Sequence, residues 1–241
     1  MRFSQEKLTG TSLLDSHDRN LMKISKSAIA LTALALVSTM TQAQAADAPK
    51  TFASVDAAIK VLKVAPDVRA GYSRSNFKHW SDLDKNGCNT RNDVILQEAL
   101  EKPKVDAGCK IVKDTGKWYS AYEGATITNF SALDVDHFVP LAEAWDSGAS
   151  KWDAAKREVY ANDMGDPVSL IAVSAATNRS KSDQDPGEWL PVLANYHCAY
   201  IKQWVQVKVR WSLTVDEKEL KVLKDINAKC PKTKISVVIV K

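Results

Sequence analysis

The order of strand and helix patterns in the middle of the chain constrains the fold more than any other feature. Ala132–Pro140 is an apolar, strand-like run that ends at a proline, and Leu141–Tyr160 has a helical pattern interrupted near Gly148. Val168–Ser174 is a second strand-like run, and Ala175–Ser182 begins another helix. This order predicts an α+β fold.

The first of these strands carries a carboxylate and an imidazole on adjacent residues, Asp136 and His137. In a regular strand the two side chains point to opposite faces, so they converge only where the strand ends or bulges, as Pro140 suggests. Carboxylate oxygens suit a hard divalent cation, and a neutral imidazole can accept a proton near neutral pH. Metal-assisted phosphodiester hydrolysis uses such a pair, since the cation stabilises charge and the base activates water, but a carboxylate beside a histidine is by itself a common pattern.

The rest of the chain is predicted to be mainly helical, with two short strands. Helical patterns cover Val55–Val64, Asp93–Leu100 and the regions 192–210 and 215–228, whereas Lys110–Val112 and Lys117–Tyr119 have the pattern of strands. No repeat, low-complexity tract or linker divides the chain after residue 45. Residues 46–241 are therefore predicted to form a single domain.

The N-terminal region has the features of a signal peptide. Two lysines precede the apolar run Ala28–Met40, and Ala43-Gln44-Ala45 fits the small-x-small cleavage pattern. The apolar run is shorter than the ~20 residues that span a bilayer, so a membrane anchor is disfavoured. Residues 1–45 are predicted to be removed, with either Met1 or Met22 as the true start, and the mature protein to be secreted or periplasmic without a membrane anchor.

The net charge gives only weak information about partners. The chain carries a charge of +4, and residues 1–45 hold five basic and three acidic residues, so the remainder carries +2. Any attraction to phosphate groups must therefore come from local patches. One basic stretch contains aromatic residues at helical spacing, which favours a core-facing stripe over base stacking. The stripe comprises Tyr200, Trp204, Val207 and Trp211.

All four cysteines follow the predicted cleavage site. An even number of cysteines in an exported chain indicates two disulfides, and three pairings are open. We favour the sequential pairing Cys88–Cys109 and Cys198–Cys230 because it closes two local loops. The competing interpretation is a zinc site, which the absence of Cys-x-x-Cys spacing disfavours.

Several segments together resemble a known family. The chain is similar to exported bacterial HNH (ββα-metal) endonucleases, which are related to the C-terminal nuclease domain of GmrSD-type restriction enzymes. The resemblance covers about residues 72–230 and implies a ββα-metal core with surrounding helices. The matching segments are Leu133-Asp-Val-Asp-His-Phe-Val-Pro-Leu141, Ala161-Asn-Asp163, Leu170-Ile-Ala-Val173, Asn178-Arg-Ser-Lys-Ser-Asp183 and Trp189-Leu-Pro191.

The resemblance implies roles for individual residues. His137 matches the general base that activates water, and Asp136 and Asn178 match the protein ligands of the metal ion. Lys181 is expected to face substrate phosphate. Arg91 is a further candidate for a phosphate contact, with a structural ion pair as the alternative.

The middle asparagine of the motif is harder to place. Asn162 is the best candidate for this residue, which orients the loop or the histidine in the family. Ser169, however, stands where many of these sequences have asparagine before the second strand, so the assignment stays open. Asp134 is expected either to orient His137 or to add to the metal site.

A second candidate ion site precedes the first long helix. Asp82, Asp84 and Asn86 follow calcium-loop spacing, with Gly87 at the sharp turn and Asp93 at the position usually held by glutamate. The cysteine inside this loop is unusual for a calcium hand. The alternative is a turn rich in Asp and Asn that a disulfide holds.

The resemblance implies a secreted endonuclease that requires a divalent cation, Mg²⁺ first and Mn²⁺ second, and that leaves a 5′-phosphate. The expected substrate is DNA, with RNA as a further candidate. No base-reading element is evident, so little sequence specificity is expected, and the chain is expected to be a monomer. Two alternatives remain: a non-catalytic extracellular module that binds calcium or a partner, and a hydrolase of another phosphoester.

Overall fold

The computed structural model describes residues 49–241. The predicted signal peptide, residues 1–45, lies outside the described residues. Within the described part of the chain, no helix is both long enough and apolar enough to cross a membrane.

The strands form four two-stranded antiparallel sheets, and residues 49–241 contain no larger sheet. The pairs are β1 with β8, β2 with β3, β4 with β5, and β6 with β7. The strands are β1 (Lys50–Phe52), β2 (Val105–Asp106), β3 (Lys110–Ile111), β4 (Trp118–Ser120), β5 (Ala125–Ile127), β6 (Leu133–His137), β7 (Leu170–Ser174) and β8 (Ile235–Val237).

Helices make up most of the remaining regular structure. They are α1 (Val55–Ile59), α2 (Thr90–Glu98), α3 (Leu141–Asp146), α4 (Ala154–Ala161), α5 (Ala175–Lys181), α6 (His197–Arg210) and α7 (Glu217–Asn227). Helices and small sheets are thus mixed along the chain, and the predicted α+β class is confirmed.

The pair β6–β7 and the helix that follows it position the candidate site. The strands pair from Leu133 opposite Ser174 to His137 opposite Leu170. Helix α5 begins directly after β7, where the hydroxyl of Ser174 accepts a hydrogen bond from the amide of Thr177 and so caps the helix. A short cap of this kind lets the chain turn from strand to helix without a loop, which brings α5 beside β6.

Alternating residues of β7 enter two hydrophobic cores. Leu170 and Ala172 pack into the smaller core with α2, and Ile171 and Val173 pack into the larger one with α6. The pair β6–β7 therefore lies between the cores. The aromatic stripe of α6 is buried in the larger core, so the core interpretation of Tyr200, Trp204, Val207 and Trp211 is confirmed.

Both predicted disulfides are present, Cys88–Cys109 and Cys198–Cys230. The first joins the loop before α2 to the start of β3, and the second joins the first turn of α6 to the segment after α7. No free cysteine remains among residues 49–241.

Several boundaries differ from the sequence patterns. Helix α1 ends at Ile59 instead of Val64, because the segment after it turns and Val64 bridges to Val215. Helix α2 begins three residues early, since the side chain of Asn89 caps it. Helix α6 begins at His197 rather than residue 192, after a short 3-10 turn.

Candidate active site

Three of the predicted site residues meet in one cleft of about 510 Å³. Asp136 and His137 come from the end of β6, and Asn178 comes from α5. Arg74 and Arg179 line the same cleft. Its volume lies within the range of about 300–1,000 Å³ that is typical of ligand sites.

His137 is held by a main-chain carbonyl and by a ring. Its Nε2 lies 2.9 Å from the carbonyl oxygen of Ala161, and Trp80 stacks on its ring at 5.1 Å between centroids with a 28° interplanar angle. Because a carbonyl can only accept, Nε2 carries the proton and Nδ1 keeps its lone pair. Burial lowers the pKa of His137 to about 3, so the imidazole is neutral at neutral pH, as a general base requires.

Asn162 ends helix α4 beside this histidine. Its Oδ1 accepts from the amide of Ser81 at 2.8 Å, and its Nδ2 donates to the carbonyls of Lys78 at 2.9 Å and Glu158 at 2.8 Å. Asn162 makes no hydrogen bond to His137. It ties the loop that carries Trp80 to the end of α4, so it fixes the surroundings of the imidazole.

Ser169, the other candidate position for the middle asparagine, has a different environment. Its hydroxyl donates to Asp163 Oδ2 at 2.7 Å. Asp163 also accepts from Arg210 and from the indole of Trp211, and all of these groups are buried. Ser169 thus belongs to a structural network and does not line the cleft.

Asp136 uses one of its two oxygens within the protein. Its Oδ2 accepts from the hydroxyl of Tyr122 at 2.5 Å and from Lys181 Nζ at 2.7 Å. Its Oδ1 accepts no hydrogen bond from residues 49–241, and Asp136 lines the cleft. Burial raises the pKa of Asp136 and lowers that of Lys181, and the ion pair between them opposes both shifts.

Asn178 is oriented by the other acid of β6. Its Nδ2 donates to Asp134 Oδ2 at 3.3 Å, which leaves its carbonyl oxygen without a donor in the described chain. Asp134 and Asp136 lie two residues apart on β6 and so on the same face of the strand. Asp134 therefore contacts Asn178, and not His137.

The free oxygens of Asp136 and Asn178 fit a hard divalent cation. Mg²⁺ prefers oxygen ligands, uses few protein groups and keeps several waters or substrate phosphates. Within residues 49–241, one group of three acidic, histidine or cysteine side chains lies close enough to share an ion: Asp67, Asp185 and Asp216. None of these three lines the cleft.

Lys181 and Arg91 do not take the positions expected of phosphate contacts. Lys181 has no exposed surface, and its Nζ donates to Asp136 and, at 3.2 Å, to the carbonyl of His137. Arg91 donates to the carbonyl of Leu133 at 3.0 Å, and its guanidinium lies 5.2 Å from the ring of Phe130. Neither residue lines the cleft, and their contact with phosphate stays a prediction.

Sequence patterns missed Arg74, Arg179 and Trp80. Arg179 follows Asn178 within a matching segment, so that segment contained the signal for it. Arg74 lies in a polar turn without a motif. Trp80 has a backbone φ of 63°, a conformation that a bulky residue rarely adopts, and no sequence pattern indicates it.

The predicted calcium loop is internally hydrogen-bonded. Asp82 accepts from the amides of Asn86 and Gly87, and the Asn86 side chain donates to Asp84 and Asp93. These contacts are those of the alternative interpretation, a turn rich in Asp and Asn. Calcium binding stays a prediction, which titration with Ca²⁺ would test.

Comparison with known proteins identifies a family that this chain matches. A family model described as the C-terminal domain of GmrSD restriction endonucleases matches residues 77–226, which include β6, β7, α5 and every cleft residue named above except Arg74. The chain belongs to this family. The GmrSD C-terminal domain is part of a group of restriction endonucleases, so membership indicates an endonuclease-type activity on nucleic acid.

A relative is found in the fungus Arthroderma benhamiae. It is 40% identical to this chain over 160 residues, which make up 66% of this chain and 76% of the relative. It is described as an uncharacterized secreted protein, which agrees with the expectation of an exported GmrSD-type domain. No solved structure matches the chain.

Proposed function

We propose that this protein is an exported endonuclease of the HNH (ββα-metal) type that uses a divalent cation to cut DNA with little sequence specificity. One observation carries the proposal: His137, Asp136 and Asn178 line a single cleft, and His137 Nδ1, Asp136 Oδ1 and Asn178 Oδ1 have no hydrogen-bond partner within residues 49–241. Strands β6 and β7 with helix α5 supply the ββα unit.

Each residue has a distinct task in the proposed reaction. Asp136 and Asn178 would hold the cation, and Lys181, Tyr122 and Asp134 keep these two ligands in place. When bound, Mg²⁺ or Mn²⁺ neutralises charge on the phosphate and on the leaving 3′ oxygen.

His137 is the general base of the proposed reaction. Its Nδ1 accepts a proton from water as the water oxygen forms a bond to phosphorus and the bond from phosphorus to the 3′ oxygen breaks. The carbonyl of Ala161 holds Nε2–H throughout, so the imidazole cannot rotate away. The 3′ oxygen takes a proton from solvent, and the 5′ fragment keeps the phosphate.

Export of the protein is supported by the apolar run near the N-terminus and by the relative described as secreted. The two disulfides suit an oxidising compartment.

The test is cleavage of supercoiled plasmid by the mature protein with Mg²⁺ or Mn²⁺, with and without EDTA. We expect EDTA to abolish cleavage and His137→Ala to lower the rate by about 10²–10⁴-fold. His197→Ala is the matched control, because its Nε2 also lies near a main-chain carbonyl, that of Pro191 at 2.7 Å, but it does not line the cleft. Cleavage by His137→Ala at the wild-type rate, or no cleavage by the wild type with any divalent cation, contradicts the proposal.

A further inference from the structure

Four charged side chains line the cleft. Two are acids: Asp136 pairs with Lys181, and Asp183 lies 2.6 Å from Arg69, which also pairs with Asp146. The other two are Arg74 and Arg179, which line the cleft without an ion pair or hydrogen bond to any described side chain.

Arg74 and Arg179 differ in this respect from the other arginines of the described chain. Every other arginine in residues 49–241 is engaged by a protein group: Arg69 by Asp146 and Asp183, Arg91 by Leu133, Arg157 by main-chain carbonyls and Arg210 by Asp163. The two arginines without partners are thus the two that line the cleft. Two guanidinium groups without a protein partner at one cleft suit an anion.

The two arginines lie at a different depth from the reactive groups. Asp136 and His137 are 5% and 6% exposed and form the floor, whereas Arg74 and Arg179 are exposed and form the rim. Arg179 follows Asn178 on α5, and consecutive helical residues point about 100° apart. Arg179 therefore cannot share the direction of Asn178 toward the floor.

We propose that Arg74 and Arg179 bind the backbone phosphates that flank the scissile one, so that the site takes a chain of consecutive phosphodiesters and discriminates against a small isolated phosphodiester. This inference rests on the proposed function. Arginine is suited to the role because its planar guanidinium makes two parallel hydrogen bonds to phosphate oxygens. Contacts to phosphate hold the strand in position without reading its sequence.

Binding without cleavage is the first test. A labelled single-stranded oligodeoxynucleotide of about 12 nucleotides is titrated in EDTA, and anisotropy is measured at several salt concentrations. Each released phosphate contact lowers the slope of log affinity against log salt by about 0.7 for a single strand. We expect Arg74→Gln and Arg179→Gln each to lower the slope by this amount and to weaken binding by about tenfold.

A matched control removes a positive charge elsewhere. Lys113 is exposed, does not line the cleft and makes no ion pair within residues 49–241. Lys113→Gln should leave the slope and the affinity near the wild-type values. Arginine variants that bind like Lys113→Gln overturn the inference.

Turnover is the second test. With Mg²⁺ or Mn²⁺, we expect the double variant Arg74→Gln/Arg179→Gln to raise KM for the oligonucleotide by at least about tenfold. We expect it to hydrolyse bis(p-nitrophenyl) phosphate, which has no flanking phosphates, at the wild-type kcat/KM. An equal loss on both substrates overturns the inference, because the arginines would then act on the scissile group or on the fold.

The two tests separate this inference from the proposed function. If the wild type cuts neither substrate with any divalent cation, the proposed function fails. The binding measurement in EDTA still decides whether Arg74 and Arg179 hold a phosphate chain. If the wild type cuts both substrates and the arginine variants change nothing, the function stands and the inference is wrong.

Discussion

Two lysines are completely buried, and their surroundings differ in a way that separates a functional site from a structural one. Lys181 and Lys208 both have no exposed surface. Lys208 donates to Glu143, to Glu219 at 3.3 Å and to the carbonyl of Thr214 at 2.9 Å. Lys181 has a single carboxylate partner, Asp136, and one oxygen of that carboxylate is left free at the cleft.

The Lys208 cluster is closed on itself. The other oxygen of Glu219 accepts from the indole of Trp204, so the buried polar groups satisfy one another. Burial raises the pKa of Glu143 to about 8 and that of Glu219 to about 7. The cluster connects α3, α6 and α7, and it shows that a buried ion pair alone does not indicate chemistry.

The largest effect on stability should come from removing the cation of the buried cluster formed by Lys208, Glu143 and Glu219. Lys208→Met leaves two buried glutamates without their cation, which should lower the free energy of unfolding by about 3–5 kcal/mol. Denaturant unfolding measures this, and divalent cations should not reverse it. The folded fraction should retain the wild-type kcat. A loss below about 1 kcal/mol would mean that Lys208 is not essential to the cluster.

Removing the cation of the Lys181–Asp136 pair should lower the free energy of unfolding by a similar amount, and a divalent cation should reverse part of this loss. Lys181→Met leaves Asp136 buried without its ion pair, and in EDTA the loss should again be about 3–5 kcal/mol. Because a divalent cation bound to the native state can neutralise Asp136, Mg²⁺ should restore part of this loss. The same Mg²⁺ response in Lys181→Met and Lys208→Met would remove the distinction between the two clusters.

The cluster of Lys208, Glu143 and Glu219 should contribute to the pH dependence of stability, as should Glu98, whose pKa burial raises to about 7. The folded pKa values of Glu143 and Glu219 are raised above the ordinary value near 4.5, so the folded state binds protons more tightly than the unfolded state. This contribution is complete below about pH 4.5 and is lost as pH rises through 7 and 8. Between pH 6.5 and 9 the contribution of His137, whose folded pKa is lowered, no longer changes.

Thermal unfolding of the wild type and of Glu219→Gln over this pH range measures the effect. We expect the wild type to lose about 1–3 kcal/mol as pH rises and the variant to lose less. A wild-type stability that rises with pH over the same range would show that the sign of these shifts is wrong.

The smallest effect should come from Arg91, a cation that only main-chain and ring contacts hold. Arg91→Gln removes a hydrogen bond to Leu133 and the contact with Phe130, which should lower the free energy of unfolding by about 1 kcal/mol. Oligonucleotide affinity in EDTA should not change. A tenfold loss of affinity would support Arg91 as a phosphate contact. Phosphate binding would then not be confined to the arginines that line the cleft.

The sequence contained the parts of the site that follow from local patterns. Strands β6 and β7 and helix α5 were predictable because apolar runs, a proline and a helical pattern each act within a few residues. Asp136, His137 and Asn178 could be recognised as a set only through the family resemblance, because Asn178 is distant from the other two in sequence. The sequential disulfide pairing followed from short loops.

The rest depends on contacts between distant segments. Lys181 looks like an ordinary helical lysine, and only the packing of α5 against β6 buries it against Asp136. Arg74 reaches the cleft because the turn that carries it folds over residues far along the chain. Trp80 has a left-handed backbone, and the amide of its neighbour Ser81 donates to Oδ1 of the distant Asn162.

Asp136 is a ligand of the cation in the proposed function, and calorimetric titration of the mature protein with Mn²⁺ tests this role. The comparison pairs Asp136→Asn with Asp185→Asn, since Asp185 belongs to the other acidic group, with Asp67 and Asp216. We predict that the wild type and Asp185→Asn bind Mn²⁺ with the same affinity and that Asp136→Asn does not bind it. Retention of binding by Asp136→Asn together with its loss in Asp185→Asn would contradict the account, because the ion would then lie away from His137.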